Sequence, residues 1–340
     1  MTKMQASLSS EINRRRMLQA AGGLAATGSV AGSSAHAESF PRAANSQMRV
    51  MALDKPKVCV AAIQSCSGKV ISDNLTAMLS AIDRIQAQEE KKDLISFSVL
   101  ALQGIRPRGL DEARRIAVSL DGPEVFALSA KAKQHRVYLS FSALTTDRAW
   151  PNEVITHNVL LGPDGNIVLA AWQATHDPAM PFLLSVERVI DRYVALYGRE
   201  AVLPLVNTPI GNIALASDQA APEIYRALAL QGAEVIIRAS RDVQAPWDVQ
   251  ACSAYNQCYT VAIAPSGALH AESDEDPSAL GGGGSLIVGP RGETLAEASS
   301  KWEQTVSAQV PLAYYRQARR KPDVHAALVL PVYAQYQNSV

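Results

Sequence analysis

The 340-residue chain is 48% hydrophobic and 19% charged, enough apolar material to bury the core of one large domain or two small ones. Thirty-two Lys and Arg balance 32 Asp and Glu, so no net field draws the chain toward nucleic acid or an anionic membrane surface, and any ligand must be argued from sites. Cys59, Cys66, Cys252 and Cys258 have neither CxxC nor zinc-ligand spacing, and no constellation for a metal or an organic cofactor is found. Cys59 and Cys258 lie in apolar runs and read as small buried hydrophobes. Cys252 and Cys258 are six apart and would point to different sides of a continuous helix, which argues against a disulfide.

Along the chain, Arg14-Arg15-Arg16-Met17-Leu18 opens a weakly apolar Ala- and Gly-rich stretch that ends at Ala35-His36-Ala37. This order resembles a twin-arginine export signal over residues 1–37, which predicts cleavage near Ala37, a periplasmic or otherwise exported bacterial protein, and no stable membrane span afterwards. Residues 38–56 read as a linker. Val58 to Gln64 then predicts a strand, Asn74 to Ala87 a helix with Leu75, Met78, Leu79, Ile82 and Ile85 at helical spacing, and Leu94 to Leu102 a second strand. A helix from Pro123 to His135 follows, then strands at Val137 to Leu144 and Asn158 to Leu161. A Gly162-Pro163-Asp164-Gly165 hairpin leads into Asn166 to Trp172. Residues 178–200 are expected to be partly helical around Val186 to Tyr197. A helix from Pro222 to Leu230, stopped by Gly232, precedes a strand at Glu234 to Arg238. After the weak glycine run Gly281 to Gly284, strands are expected at Ser285 to Val288 and Glu293 to Ala296. Such alternation predicts a layered α/β domain with mixed sheets.

Several of these segments together resemble the carbon-nitrogen hydrolase (nitrilase and aliphatic amidase) superfamily. The clearest is Thr208-Pro209-Ile210-Gly211-Asn212-Ile213 leading to Asp218, followed by Pro222-Glu223-Ile224-Tyr225-Arg226 and Gln231-Gly232-Ala233-Glu234. Supporting stretches are Asp93-Leu94-Ile95 through Gln103-Gly104, Asn158 to Val168, Asn256-Gln257-Cys258-Tyr259, and Gly284-Ser285-Leu286 through Gly292. They occur in family order from about Lys57 to Val310. The resemblance implies a four-layer αββα sandwich, here a single domain over residues 57–312, with a C-terminal tail, 313–340, that serves oligomer packing in a homodimer or larger homo-oligomer.

The same resemblance implies a cysteine nucleophile, a glutamate base, a lysine that stabilises the oxyanion, and a second glutamate that orients the set. At the matching positions stand Ala216 for the nucleophile, Val99 for the base, and Gln173 for the lysine, or Ala174 if the count slips by one. Thr145 stands for the second glutamate, and Tyr255 and Ala264 replace the acid and amide that flank Asn256-Gln257. Ser217 and Asp218 are the nearest substitutes and also read as a helix-entry cap. His157, His176 and Cys258 are further candidates, read respectively as two hydrogen-bonded structural residues and a thiol whose apolar setting raises its pKa. The expectation is a non-catalytic, exported protein whose pocket, drawn from Val99, Thr145, Gln173, Ala216, Ser217 and Asp218, takes a small neutral ligand or serves as a scaffold. The competing expectations are an active amide or nitrile hydrolase with a relocated catalytic set, and an interaction protein that docks a partner on Ala326 to Val340.

Overall fold

A strand presents alternate side chains to opposite faces, and here both faces of each sheet are apolar. The computed structural model describes residues 50–217, 221–241, 243, 245–266, 282–320, 322 and 324–336. Asp218, Gly281, the expected signal and residues 38–49 of the expected linker lie outside them. The first sheet takes β1 (Val58–Gln64), β2 (Leu94–Phe97), β3 (Val118–Ser119), β4 (Tyr138–Asp147), β5 (Trp150–Leu161) and β6 (Ile167–Trp172). The second takes β7 (Leu205–Thr208), β8 (Gly211–Ser217), β9 (Val235–Ala239), β10 (Tyr259–Ile263), β11 (Leu286–Val288) and β12 (Thr294–Glu297). A last strand, β13 (Gln304–Val310), returns to the first sheet and pairs antiparallel with β1. Among the described residues the orders are β13-β1-β2-β4-β5-β6, with β3 on β4, and β12-β11-β10-β9-β8-β7. Both sheets are mixed: β1, β2 and β4 run parallel, as do β8, β9 and β10, while hairpins close the edges.

Val58, Val60 and Ala62 of β1 join Leu160, Ile213, Ile237 and Val261 in one core between the sheets. Ala61 and Ile63 turn the other way, onto Met78 and Ile82 of α1 (Ile71–Gln86) and Val125 and Leu128 of α3 (Pro123–His135). A short α2 (Leu110–Ile116) lies between these helices in sequence, and α4 (Ile190–Tyr197) follows β6. On the far side, α5 (Pro222–Gln231) packs on the outer face of the second sheet through Tyr225, Leu228 and Ala229, and α6 (Pro246–Asn256) through Val249 and Cys252. The layers are therefore helix, sheet, sheet, helix, the αββα sandwich the resemblance implied.

Two expected strands change length. The run Leu94 to Leu102 stops at Phe97, and residues 98–103 form a buried turn in which Leu100 takes φ 52°; continuous apolarity here reflects burial in a turn rather than a strand. The strand expected at Asn158 starts at Trp150, because the whole segment pairs with β4 as a long hairpin. At the other end of the chain, α7 (Leu312–Ala318) carries Leu312 and Tyr315 into the inter-sheet core. All four cysteines are free thiols. Among the described residues no helix is long and apolar enough to cross a membrane.

Candidate functional site

Strand β8 sets the site. Ile213 and Leu215 point between the sheets, while Ala214 and Ala216 face Tyr225 and Leu228 of α5. Beyond the strand, Pro222 pre-sets the first helical turn of α5, and Gly232, at φ 110°, ends that helix in a left-handed conformation that glycine adopts without strain. The strand-to-helix geometry expected of a nucleophile turn is thus present on either side of the segment, with Ala216 and Ser217 buried at the strand end. Both line a small pocket with Asn158, Ala171, Trp172 and Ala174. Val202, Leu203, Pro204, Leu215 and Ile224 complete its lining, and its free volume is about 10 Å³, at the lower limit for a single water molecule. Among the described residues, none that lines it is ionisable.

The other predicted positions are distributed around this pocket rather than in it. Val99 belongs to an apolar cluster with Leu144, Met180, Leu183 and Ala239. Ala239 is the register neighbour of Ser217 on the adjoining strand, so this cluster abuts the pocket. The turn that carries Val99 is fixed from two sides. Gln103 donates to the carbonyls of Ile116 and Leu144 at 3.2 and 3.1 Å, and Asn74 donates to those of Gly68 and Leu102, both at 2.8 Å. Gly104, at φ 66°, approaches so closely that an added Cβ would lie 1.9 Å from the Gly68 carbonyl oxygen. Buried Asp177 accepts the Ala179 N–H at 2.9 Å and pairs with Arg241 at 3.4 Å, pinning the segment that brings in Met180 and Leu183.

Thr145 is fully buried, and its hydroxyl lies 2.6 Å from Nδ1 of His157. The His157 ring meets Trp172 edge to face with centroids 5.9 Å apart, so His157 is a packed structural histidine. His176 is exposed, and its backbone N–H donates to Glu187. Gln173 is buried, its side chain donating to the Thr175 carbonyl at 3.2 Å. The residue that lines the pocket beside Ala216 is Ala174 and not Gln173.

Three groupings could in principle relocate the chemistry. Behind Ala216, its register neighbour Arg238 holds Asp248 at 2.6 Å, and the Cys252 thiol lies 3.9 Å from the same carboxylate. Burial, then the charge of Asp248, pushes that thiol up to about 11. At the N-terminal ends of β1 and β2, away from Val99, Cys59 sits with Glu90 and Lys92, whose charges pair at 3.2 Å. Burial, then a hydrogen bond to Glu90, again pushes the thiol up to about 11. Cys258 is fully buried, its thiol donating to the Ala233 carbonyl, and burial pushes it up to about 11 as well. A thiol attacks as its thiolate, so each of these surroundings opposes nucleophilic use.

One feature of the interior has no counterpart among the residues singled out in the sequence. On the inner face of the first sheet, Ser96, Ser142, Thr156 and Asn158 interrupt the apolar side chains of β2, β4 and β5, and Ser98 follows just past the end of β2. The four hydroxyls and Asn158 Oδ1 are buried with no hydrogen-bond partner among the described residues. An unmade hydrogen bond of this kind costs about 1–3 kcal/mol. The available signal was the period-two placement of polar residues, Ser96-x-Ser98, Ser140-x-Ser142 and Thr156-x-Asn158, inside otherwise apolar strands. Among the described residues, no group of three or more His, Cys, Asp or Glu side chains is placed to hold a metal ion.

Comparison with known proteins agrees with this architecture. The carbon-nitrogen hydrolase family profile matches residues 59–320. A bifunctional nitrilase/nitrile hydratase, NIT4B of Lupinus angustifolius, is 24% identical over 237 residues, covering 64% of this chain and 64% of that protein. NIT4A of the same plant is 26% identical over 226 residues, 61% of this chain and 60% of its own length. The matched stretch thus spans less than two thirds of these relatives. Among solved structures, Saccharomyces cerevisiae Nit3, a member of branch 10 of the nitrilase superfamily, superposes with a TM-score of 0.63 at 17% identity, over 86% of this chain and all of that one. A double mutant of the amidase from Nesterenkonia sp. AN1 in complex with acrylamide gives a TM-score of 0.60 at 17% identity, over 83% and 99% of the two chains. With the sandwich and a profile match over most of its length, this chain belongs to the carbon-nitrogen hydrolase family.

Proposed function

We propose that this chain is a non-catalytic member of the family, exported by the twin-arginine route, whose cleft binds a small neutral molecule or serves a scaffold role within a homo-oligomer. One observation carries the reading: Ala216 and Ala174 stand together in a pocket of about 10 Å³ with no ionisable lining residue among the described residues. Acyl transfer from an amide or nitrile needs a thiolate, a proton carrier and fixed positive charge at the reacting atoms. Loss of one nucleophile or base from such a unit costs up to ~10⁶ in turnover, and further losses add little. Ser217 is buried at the strand end, yet its hydroxyl needs a positioned base, and none lines the pocket among the described residues.

A second reading, an active hydrolase with a relocated set, is favoured by Cys252 lying within reach of Asp248 beside Arg238. It is the weaker one, because the carboxylate is already committed to the guanidinium and raises the thiol it would have to activate. The test is ammonia release from acetamide, propionamide and a short aliphatic nitrile. No turnover above buffer is expected. Turnover abolished by Ser217→Ala, Cys252→Ala or Cys258→Ala would establish the second reading in place of the first.

A further inference from the structure

Between β6 and α4 the chain leaves the first sheet and returns to the same place. The Val186 and Glu187 N–H groups donate to the Gln173 and Ala174 carbonyls at 3.2 and 2.9 Å, and the Leu184 N–H donates to the Val154 carbonyl at 3.0 Å. Residues 174–186 are thus an Ω-loop, closed at its neck. Its outer part is bonded to itself. Among the described residues, the backbone hydrogen bonds of 176–183 stay within 176–188. The Met180 and Leu183 N–H groups donate to the Asp177 and Met180 carbonyls, and those of His176 and Ala179 to the carboxylates of Glu187 and Asp177. Arg188 donates to the Pro181 and Leu183 carbonyls. Apolar burial and charge hold this part to the rest of the molecule. Met180 and Leu183, 2% and 6% exposed, pack with Val99, Leu100, Leu144 and Ala239, and Asp177 pairs with Arg241 at 3.4 Å.

A segment with few backbone bonds outward opens at lower free energy than the strands around it. Ser98, next to Val99, and Ser240, between Ala239 and Arg241, keep fully buried hydroxyls without a partner among the described residues. Leaving such groups unpaired costs stability, and water admitted by opening would relieve that cost. We infer that residues 174–186 are a lid latched by Asp177 and Arg241, and that the space Met180 and Leu183 fill in the closed state takes a small uncharged hydrocarbon in the open one. The walls left behind, Val99, Leu100, Leu144 and Ala239, have side chains that offer neither charge nor hydrogen bond. Two side chains of this size occupy a volume on the scale of the ~150 Å³ apolar cavity that stays dry and takes benzene. Ala174, at the neck, also lines the pocket beside Ala216, so lid and pocket share an edge. This rests on the proposed reading of the cleft as a site for neutral ligands, and adds the ligand's class and its gate.

Thiol labelling of the full chain tests it. Val99→Cys in a Cys66→Ser background puts a reporter on the wall that Met180 and Leu183 cover, while buried Cys59, Cys252 and Cys258 report global unfolding. With methyl methanethiosulfonate, position 99 should label faster than those three. It should label about fivefold faster again when Asp177→Asn, or Arg188→Ala at an exposed position, loosens the lid. Toluene, followed by NMR, should bind both loosened chains more tightly than the unsubstituted one by the same factor, since apparent affinity follows the open fraction. Labelling at position 99 no faster than at the buried cysteines overturns the lid, as do a labelling rate and a toluene affinity that neither substitution changes. Toluene binding to none of the chains overturns the ligand site and the small-molecule reading together. Ammonia release from propionamide in the same samples overturns the non-catalytic reading alone.

Discussion

A carboxylate as deeply buried as that of Glu234, 1% exposed, has to be matched by charge and by hydrogen bonds. Arg316 supplies both through a bidentate pair at 2.8 and 2.7 Å, and the Asn212 N–H adds a third donor at 2.8 Å. Arg316→Ala would leave the carboxylate with only the backbone donor. Destabilisation of about 3–5 kcal/mol is expected, read as a shift of the urea midpoint, whereas substitutions at exposed Arg84, which pairs with exposed Glu303, should cost less than about 1 kcal/mol. The thiols give a second prediction at this scale. Cys66 is exposed, while Cys59, Cys252 and Cys258 are buried and pushed up to about 11. Iodoacetamide at pH 8 should therefore label one thiol on the native protein, identified by mass spectrometry as Cys66, and four after denaturation. Rapid native labelling of Cys252 would instead show that the Asp248 and Arg238 grouping activates it.

Between elements, α1 and α3 are joined by polar contacts as well as by their apolar faces. Asp83 of α1 accepts from Lys131 at 2.6 Å and lies 2.6 Å from His135 Nε2, both on α3. Hydrogen bonds from Lys131 and then His135 hold the Asp83 carboxyl below its usual range. Glu90 is held down to about 2 by Gln309, then Lys92 and Cys59, tying the segment before β2 to β13. A lowered folded pKa means that stability is full above the unfolded value near 4 and disappears as pH falls through the folded one. The melting temperature should accordingly drop between about pH 4 and pH 2, and Asp83→Asn should flatten part of that slope while lowering stability at pH 7. Much of this level was legible in advance: the Pro222 start and Gly232 stop of α5 and the full span of α3 follow from cap chemistry and period alone. The turn after Phe97 was not, because Val99, Leu100 and Leu102 are apolar for reasons of burial, and only the third dimension shows that they leave the sheet. Asn158 shows in the sequence only as one of the polar residues placed at period two; that it lines a pocket with Ser217, on a strand distant in sequence, comes from the fold.

For the whole molecule, exposed apolar side chains gather on the outer layer. In α8 (Ala326–Gln335), Leu328 is 74% and Leu330 62% exposed, and Tyr333 touches α5 through Glu223 at 3.3 Å. Trp247 and Tyr255 of α6 are exposed on the same outer layer. A helix without a polar face needs cover, which supports the proposed homo-oligomer. Sedimentation velocity should give a dimer or larger species, and Leu328→Asp with Leu330→Asp should shift it toward monomer. Expression in a bacterial host with a twin-arginine system should yield, in the periplasmic fraction, a chain whose mass begins near Glu38. Intact mass beginning at Met1 in that fraction would contradict signal cleavage.

The first strand of the sandwich lies beside the last. Val58 is registered with Val310 and Gln64 with Gln304, so β1 is covered by residues at least 240 positions downstream. Such long-range closure slows folding, since the loop entropy is spent before the pairing rewards it. It also makes the ribosome's progress matter: until β13 emerges, β1 presents a bare row of backbone donors and acceptors, and a prematurely terminated chain would carry that sticky edge permanently. Completion of the polypeptide is, for this fold, the step that covers β1 and leaves β13 as the outermost strand.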